Sequence, residues 1–141
     1  MTHRLRMACL AALAALLSAG AVRAQVPEPS CRASLEPWTQ VELYFGRGVG
    51  GGLVVSDAAW RQFLAQEVTP RFPDGLTVVD AAGQWHDADG EIVREPTKLL
   101  ILLVPDAEAI ETEIDDIIDA YKERYQQESV LYSEHPVCIA F

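Results

Sequence analysis

Six side chains in this sequence have the chemistry to bind or transform a small molecule. They are Arg71, Trp85, His86, Glu95, Tyr121 and Arg124. Arg71 stands between two prolines, and a stiffened loop can aim a guanidinium group at a carboxylate or another anion. Trp85 offers a flat ring on which a ligand could stack. Structural roles compete with both interpretations and are favoured: Arg71 would pair internally with Asp74 or Glu95, and Trp85 would cover a sheet.

Glu95 opens a strongly apolar segment and is the candidate catalytic group. A carboxylate in an apolar cleft can act as a general acid or base, here with His86 or Tyr121 assisting. A structural ion pair is the alternative, and three arginines are candidate partners: Arg71, Arg94 and Arg124. A contact with two arginines would indicate a structural role. An apolar pocket without an arginine in contact would indicate catalysis.

A glycine run follows the first apolar segment, and Gly46, Gly48 and Gly51 fit the pattern G-x-G-x-x-G. In a dinucleotide site the helix begins within the glycines, so that its N-terminus meets the pyrophosphate. Here three apolar residues separate the run from Ser56, the candidate N-cap. The run is therefore interpreted as a strand-to-helix connection, and no cofactor is predicted.

Oxygen and nitrogen ligands cluster in the segment "HDADGE", which contains His86, Asp87, Asp89 and Glu91. Their spacing lacks the closing glutamate of a calcium loop. A solvated hairpin turn at Asp89-Gly90 explains the segment better, and no metal site is predicted.

The hydrophobic pattern predicts two helices and several strands along one domain, residues 38–141, after a proline-rich leader at residues 25–37. Strands are predicted at 39–45, 76–81, 98–104 and 129–141, with a separate hairpin at 83–95. Helices are predicted at 57–68, capped by Ser56, and at 107–126, capped by Asp106.

This order of elements predicts an α+β fold of the split β-α-β, ferredoxin-like kind, an antiparallel sheet with two helices on one face and an extra β-hairpin. The segment "KLLILLV" is apolar on both of its faces, whereas a sheet face open to water should show alternating polar residues. The hairpin or a second copy must cover that face. The pattern favours a homodimer, and a dimeric α/β barrel is the corresponding alternative for the fold.

The first 24 residues have the features of a secretory signal peptide. Arg4 and Arg6 precede the uncharged apolar run 7–17, and Val22-Arg23-Ala24 allows cleavage before Gln25. The run is shorter than the ~20 residues that a spanning helix needs. The mature chain is thus predicted to be periplasmic or secreted and to have no membrane span. A soluble form is favoured over a lipoprotein, because the residues before Cys31 are not typical of lipid attachment.

Two cysteines remain after cleavage, Cys31 and Cys138, and an even number in an exported chain predicts a disulfide. The first and last strands of the predicted fold are antiparallel neighbours, which brings the two cysteines within reach of each other. Two unpaired buried thiols are the alternative.

The charge of the chain argues against one class of partner. The net charge is −10, and removal of a signal peptide that contains three arginines and no acid makes it more negative. Such a surface repels phosphate backbones, so nucleic acid is excluded as the expected partner.

Several separate motifs resemble one bacterial family. They are "TPRFPDGLT" at 69–77, "GQW" at 83–85, Arg94-Glu95 with Lys98, and "AYKERYQQESVL" at 120–131. As a set they resemble the family of domain of unknown function 3574, over roughly residues 41–141. The resemblance implies a small exported protein and implies no activity. The glycine run departs from the polar turn that is more usual in this family.

Two hypotheses about function follow. The first is a periplasmic binding or interaction module, in which Arg71, Trp85, Glu95 and Arg124 select a small polar or anionic ligand, or a protein partner. The second is a cofactor-independent enzyme that uses Glu95 as its general acid or base. The first is favoured because no catalytic constellation stands out.

Overall fold

A computed structural model describes residues 30–49, 53–86 and 89–141. The predicted signal peptide lies outside the described residues, as do Gly51 of the glycine run and Asp87 of the "HDADGE" segment. The elements are listed in chain order: β1 (Glu36–Gly46), β2 (Gly48–Val49), β3 (Leu53–Val54), α1 (Asp57–Phe63), β4 (Thr77–His86), β5 (Ile92–Val104), α2 (Glu111–Tyr125) and β6 (Leu131–Ile139).

The main sheet has four antiparallel strands in the order β4-β5-β1-β6. β1 lies at its centre, with Val41 opposite Leu102 of β5 on one side and opposite Glu134 of β6 on the other. The first and last strands are therefore neighbours, as in a ferredoxin-like fold. The α+β fold class is confirmed. Within the described residues the sheet stays open and does not close into a barrel.

The predicted separate hairpin is part of the sheet. β4 and β5 pair without interruption from Thr77 opposite Ile101 to His86 opposite Ile92, so the hairpin is the far end of two long strands. Pro96 does not break β5, which continues through it to Val104. Its carbonyl accepts a hydrogen bond of 3.0 Å from the Arg47 amide beyond the last residue of β1. The pairing of β1 with β5 ends at Gly46 opposite Thr97, so the missing N–H of Pro96 lies beyond the paired length of β1, where proline is tolerated.

The first helix begins where the sequence predicts it and changes type before it ends. The Ser56 hydroxyl accepts a hydrogen bond of 3.1 Å from the Ala59 amide and caps α1. From Leu64 to Val68 the chain continues as a π-helical turn. The helical segment therefore covers the predicted residues 57–68.

The second helix is shorter than predicted by one turn at its start. Asp106 accepts hydrogen bonds from the Glu108 and Ala109 amides and caps a 3₁₀ turn, and α2 follows from Glu111. Gln126 ends α2 in the left-handed conformation, with φ 54°.

Both helices pack on the same face of the sheet. β1 contributes alternate side chains to this core, among them Leu43 and Phe45, which are fully buried. Phe63 of α1 and Tyr121 of α2 meet Phe45 edge to face, at centroid distances of 5.9 and 4.7 Å. Such pairs add to the stability that area burial alone provides.

The predicted disulfide is present between Cys31 and Cys138, whose Cα atoms are 5.5 Å apart. It ties the segment before β1 to the end of β6, because Cys138 lies opposite Pro37 in the sheet. No helix in the described ranges has the length and apolar character needed to cross a bilayer.

Candidate functional site

Glu95 lies beside the glycine run, although 47 residues separate it from Gly48. One carboxylate oxygen, Oε2, accepts a hydrogen bond of 2.6 Å from the Gly48 amide. The other, Oε1, accepts one of 3.1 Å from the Trp85 indole N–H. β5 places Glu95 directly opposite Gly83 of β4, so Trp85 reaches it from the same sheet face. The carboxylate thus joins the hairpin to the glycine run.

The glycines are explained by how closely this carboxylate approaches the backbone. A Cβ atom at Gly46 would stand 2.6 Å from Glu95 Oε1, and one at Gly48 would stand 2.8 Å from Oε2. Real Cβ atoms do not come so close to an oxygen. The run therefore makes room for a side chain of the same protein, which is a different role from approach to a pyrophosphate.

Further hydrogen bonds fix the start of the glycine run. The Tyr121 hydroxyl donates to the Gly46 carbonyl at 2.8 Å, and the Gln127 side-chain amide donates to the Gly48 carbonyl. Gly48–Val49 pairs with Leu53–Val54 in a short antiparallel ladder. The interpretation of the run as a simple connection therefore misses its second role as a wall of the site.

A charged cluster anchors the same segment on the helix side of the sheet. Arg47 and Lys98 are buried cations, and both contact Asp57 Oδ1, at 3.2 and 3.1 Å. Lys98 also pairs with Asp80. The hydrogen bond from Lys98 lowers the pKa of Asp57, and the hydrogen bond to Asp80 raises the pKa of Lys98 although burial opposes it. This cluster was not predicted, because its members are far apart in the chain.

Glu95 and Trp85 line a cavity of about 650 Å³ at the mouth of the glycine run. Its walls come from β1, the β4–β5 hairpin and the loop after α2, and they include Tyr44, Arg94 and Glu128. The cavity contains two of the candidate site residues, Trp85 and Glu95. It combines aromatic rings with a hydrogen-bonded carboxylate.

None of the proposed arginine partners contacts the Glu95 carboxylate within the described ranges. Arg71 and Arg124 both pair with Glu67 instead, at 3.3 and 2.6 Å. Arg71 also lies 3.7 Å from Asp116. Glu67 is therefore the glutamate held between two arginines. Arg94 lines the cavity together with Glu95.

The two assisting residues are not brought into the cavity with Glu95. His86 ends β4 at the tip of the hairpin and is exposed. Tyr121 is fully buried, and its hydroxyl is engaged with the Gly46 carbonyl. Burial raises the pKa of Tyr121, so its hydroxyl stays protonated. The predicted set thus separates into one cavity pair, Glu95 and Trp85, and residues that lie elsewhere.

Arg71 lines a second cavity, of about 550 Å³, at the opposite end of the sheet. Trp38 and Phe141 are also in its wall and meet edge to face at 5.5 Å. Among the residues described, no group of three or more histidine, cysteine, aspartate or glutamate side chains is arranged to hold a metal ion.

One polar cluster on the sheet was not predicted. Glu42 accepts hydrogen bonds from the Tyr44 hydroxyl at 2.6 Å and from the Gln40 amide at 2.7 Å. Ser133 and His135 of β6 approach the same carboxylate, at 3.5 and 4.0 Å. The hydrogen bond from Tyr44 is the largest cause of a lowered pKa at Glu42. The alternation of polar residues in β1 is the sequence signal that could have located this cluster.

Solved structures with a similar fold include two of a phage enzyme. One is described as a phage SAM lyase in complex with S-methyl-5'-thioadenosine. It is 15% identical, covers 74% of this chain and 90% of its own, and has a TM-score of 0.57. The other, the phage SAM lyase in its apo state, is 13% identical, covers 82% and 97% of the two chains, and has a TM-score of 0.55. At these identities the likeness concerns the fold.

A search of curated proteins finds no match. A family described as "Protein of unknown function (DUF3574)" matches residues 40–141. The match includes the whole hairpin, both helices, β6 and most of β1, and it agrees with the resemblance seen in the sequence motifs. The chain therefore belongs to the DUF3574 family of proteins of unknown function.

Proposed function

We propose that this protein is an exported binding module that holds a small ligand in the cavity beside the glycine run. The ligand is expected to carry hydrogen-bond donors or a positive charge, together with an apolar or flat portion. The observation that supports this proposal best is the Glu95 carboxylate. It lies in the cavity wall without an arginine or lysine in contact among the described residues, and each of its oxygens accepts one hydrogen bond.

The carboxylate retains the capacity to bind a ligand. An ionised glutamate offers about four acceptor positions on its two oxygens, and Gly48 and Trp85 use two of them. A ligand ammonium or N–H group can occupy the rest. The aromatic rings of Tyr44 and Trp85 in the same wall favour a flat or cationic group. A cavity of about 650 Å³ falls within the usual size of small-molecule sites, roughly 300–1,000 Å³.

This proposal changes the ligand class expected from the sequence. The sequence predicts a small polar or anionic ligand, or a protein partner, with Arg71 and Arg124 among the candidate binding residues. Both arginines pair with Glu67, away from this cavity. Arg94 is the cation that lines the cavity within the described ranges, beside Glu95 and Glu128. A donor-bearing or zwitterionic ligand fits this set of charges better than a simple anion does.

Native mass spectrometry of the mature protein, followed by calorimetric titration, tests the proposal. The probes are a primary amine, a quaternary ammonium compound, a zwitterionic amino acid and S-methyl-5'-thioadenosine, the compound bound by the structurally similar phage enzyme. Binding should weaken at least roughly tenfold in Trp85→Ala and in Glu95→Ala, because each removes a cavity wall. Glu123→Gln, an exposed change on α2, is the control and should bind like the wild type. Equal binding by all four proteins would refute the site.

A second function, that of an enzyme without a cofactor, is supported by the same carboxylate. An apolar pocket without an arginine in contact would indicate acid–base chemistry, and Glu95 meets the second of these two conditions among the described residues. The likeness to a lyase adds a fold analogy and nothing more. Incubation with each ligand that binds, followed by mass spectrometry, separates the two functions. A product that forms with the wild type and fails to form with Glu95→Ala at saturating ligand would identify an enzyme.

The proposal that the protein is exported is based on the signal-like residues 1–24. Cleavage is expected near Ala24-Gln25, and the product is expected to be soluble and periplasmic or secreted. The Cys31–Cys138 bridge supports this location, because disulfides persist in oxidising compartments. Cell fractionation and N-terminal sequencing test it. A mature N-terminus at Gln25 in the periplasmic or culture fraction is the expected result. A lipid-modified Cys31 or an uncleaved cytoplasmic chain would contradict it.

A further inference from the structure

The sheet face that the helices leave uncovered is unusually apolar. Side chains alternate along each strand, so the odd-numbered residues of β4, β5 and β6 and the even-numbered residues of β1 share this open face. Leu99 and Ile101 lie at its centre and are half-buried. Val79 and Leu103 flank them and are 42% and 41% exposed. The β4–β5 hairpin continues the sheet and does not fold back over this face.

We propose that the open face binds a second copy of the same chain, giving a symmetric homodimer with the two sheets packed face to face. A partner of this kind explains why both faces of "KLLILLV" are apolar, since the helices cover one and the partner would cover the other. The centre of the proposed contact is formed by Val79, Leu99, Ile101 and Leu103. The ligand cavity, with Tyr44, Trp85 and Glu95, lies at one end of the same face, so a partner chain would adjoin it.

Charge distinguishes this face from the rest of the molecule. The chain has 21 acidic and 11 basic residues and a net charge of −10, so two copies repel each other over most of their surfaces. Among the described strand residues, the open face carries three acids, Glu36, Glu42 and Glu95, and no lysine or arginine. Glu36 and Glu95 lie towards opposite ends of the sheet. Depletion of charge at the centre is the composition typical of a protein interface core.

The central charge, Glu42, suits contact with an identical surface. Its carboxylate already accepts hydrogen bonds from Tyr44 and Gln40, so its burial does not leave an unsatisfied acceptor. His135 stands 4.0 Å away and supplies a group of opposite charge when protonated. In a twofold interface the same surface patch forms both sides of the contact, so it must carry both donors and acceptors. The cluster of Gln40, Glu42, Ser133 and His135 provides both.

The size of the face is sufficient for a stable dimer. Its four strands contain between 9 and 13 residues each. Each residue adds about 3.4 Å of strand length, and neighbouring strands lie about 4.8 Å apart. The flat area of the sheet is therefore roughly 700 Å², without the additional surface of the side chains. A standard interface buries about 800 Å² of accessible surface on each partner. Contact over most of the sheet would therefore reach the usual range.

Light scattering after size exclusion, with sedimentation velocity over roughly 1 to 100 µM, tests the proposal on the mature, disulfide-bonded protein. The wild type should have the mass of two chains. Val79→Glu and Leu103→Glu should each raise the dimer dissociation constant by about a hundredfold, because each places a charge in an apolar contact between acidic chains. Ile92→Glu is the matched control. Ile92 is 45% exposed, lies at the hairpin tip and points to the other side of the sheet, so its variant should remain dimeric.

Circular dichroism and thermal unfolding of each variant confirm that the fold is intact before the masses are compared. A wild-type mass of one chain across the whole concentration range would overturn the proposal. Dimers that persist in both Val79→Glu and Leu103→Glu would also overturn it, because the contact would then lie on another surface.

Discussion

The Glu95 carboxylate occupies the space that a side chain at Gly48 would need, and it accepts a hydrogen bond of 2.6 Å from the Gly48 amide. Glu95 of β5 and Gly48 are far apart in sequence, yet the carboxylate fits against the backbone only because residue 48 has no side chain. Together with the contact at Gly46, this relationship accounts for two glycines of a run that otherwise resembles a dinucleotide motif. It also gives the cavity a rigid wall, because the Trp85 indole fixes the second carboxylate oxygen.

The first prediction concerns Glu95→Gln, a change that preserves shape. Both carboxylate oxygens accept hydrogen bonds from N–H groups, of Gly48 and of Trp85. A glutamine must turn its NH₂ group towards one of these donors, so one hydrogen bond is replaced by a donor–donor contact. We expect a loss of about 1–2 kcal/mol in the free energy of unfolding, measured by urea denaturation. A stability equal to that of the wild type would mean that the two hydrogen bonds do not hold the glycine run.

The second prediction is a coupling between Gly46 and Glu95. Gly46→Ala places a methyl group about where the carboxylate lies, so the side chain of Glu95 must move and lose its partners. We expect a cost of about 1–2 kcal/mol in the wild-type background and almost none in Glu95→Ala. A double-mutant cycle of unfolding free energies measures the coupling. Equal costs in the two backgrounds would show that the methyl group clashes with something other than Glu95.

The sequence was sufficient to predict much of the fold for physical reasons that are local. Short segments contain the signals that predict the elements and their order. These signals are the alternation of polar and apolar residues in β1, the Ser56 cap and the apolar stripe of α2. The cysteine pair followed from the topology, since β1 and β6 are neighbours. The continuous pairing of the hairpin with the sheet was harder to predict, because glycine and proline usually end a strand. Whether a strand tolerates Pro96 depends on its neighbours in space.

The candidate site was less predictable, because its contacts join distant parts of the chain. Trp85 and Glu95 were identified from their chemistry and do share a cavity. The partner of Arg71 and Arg124 depends on which acid the fold brings close to them, and that acid is Glu67. The anchors of the glycine run, including Gln127 and the Lys98 cluster, have no signal in sequence spacing.

The third prediction concerns Glu67, the acid of the π-helical turn after α1, which contacts α2 through Arg124. It pairs with Arg71 and with Arg124 and is only 20% exposed at its side chain. Glu67→Gln removes the acid that Arg124 pairs with and leaves Arg71 with only its longer contact to Asp116. We expect a loss of about 1–2 kcal/mol in unfolding free energy, and a smaller loss at high salt, where the charges are screened. Glu123→Gln on the exposed surface of α2 is the control and should have little effect. A loss that is independent of salt would argue against the ion pairs.

The fourth prediction concerns the Cys31–Cys138 bridge, which closes a loop of 107 residues. Replacement of both cysteines by serine should lower the free energy of unfolding by about 2–5 kcal/mol, because the unfolded chain gains freedom. Urea denaturation with and without reductant provides the measurement. Reductant should destabilise the wild type to a similar degree and leave the double serine variant unchanged. A wild type that is insensitive to reductant when unfolded would indicate that the bridge does not form in the protein as produced.

The last prediction is a pH dependence that arises from Asp57. The hydrogen bond from Lys98 lowers the pKa of Asp57 below its ordinary value of 3.8. A carboxyl group with a lowered pKa in the folded state stabilises the fold above the unfolded value, and this stabilisation is lost as the pH falls through the folded value. The wild type should therefore lose more stability between pH 5 and pH 3 or below than Asp57→Asn does, as measured by urea denaturation at each pH.

Lys98 predicts a second loss of stability, at alkaline pH, that the same urea denaturation measures. Its pKa is raised above 10.5, chiefly by the hydrogen bond to Asp80, so its contribution is present below 10.5 and is lost as the pH rises through the folded value. Asp57→Asn retains Asp80 and should therefore keep part of this alkaline loss, whereas Lys98→Met should abolish it. The wild type and Asp57→Asn could instead lose equal amounts of unfolding free energy at acid pH. That result would mean that the contact between Asp57 and Lys98 does not stabilise the fold.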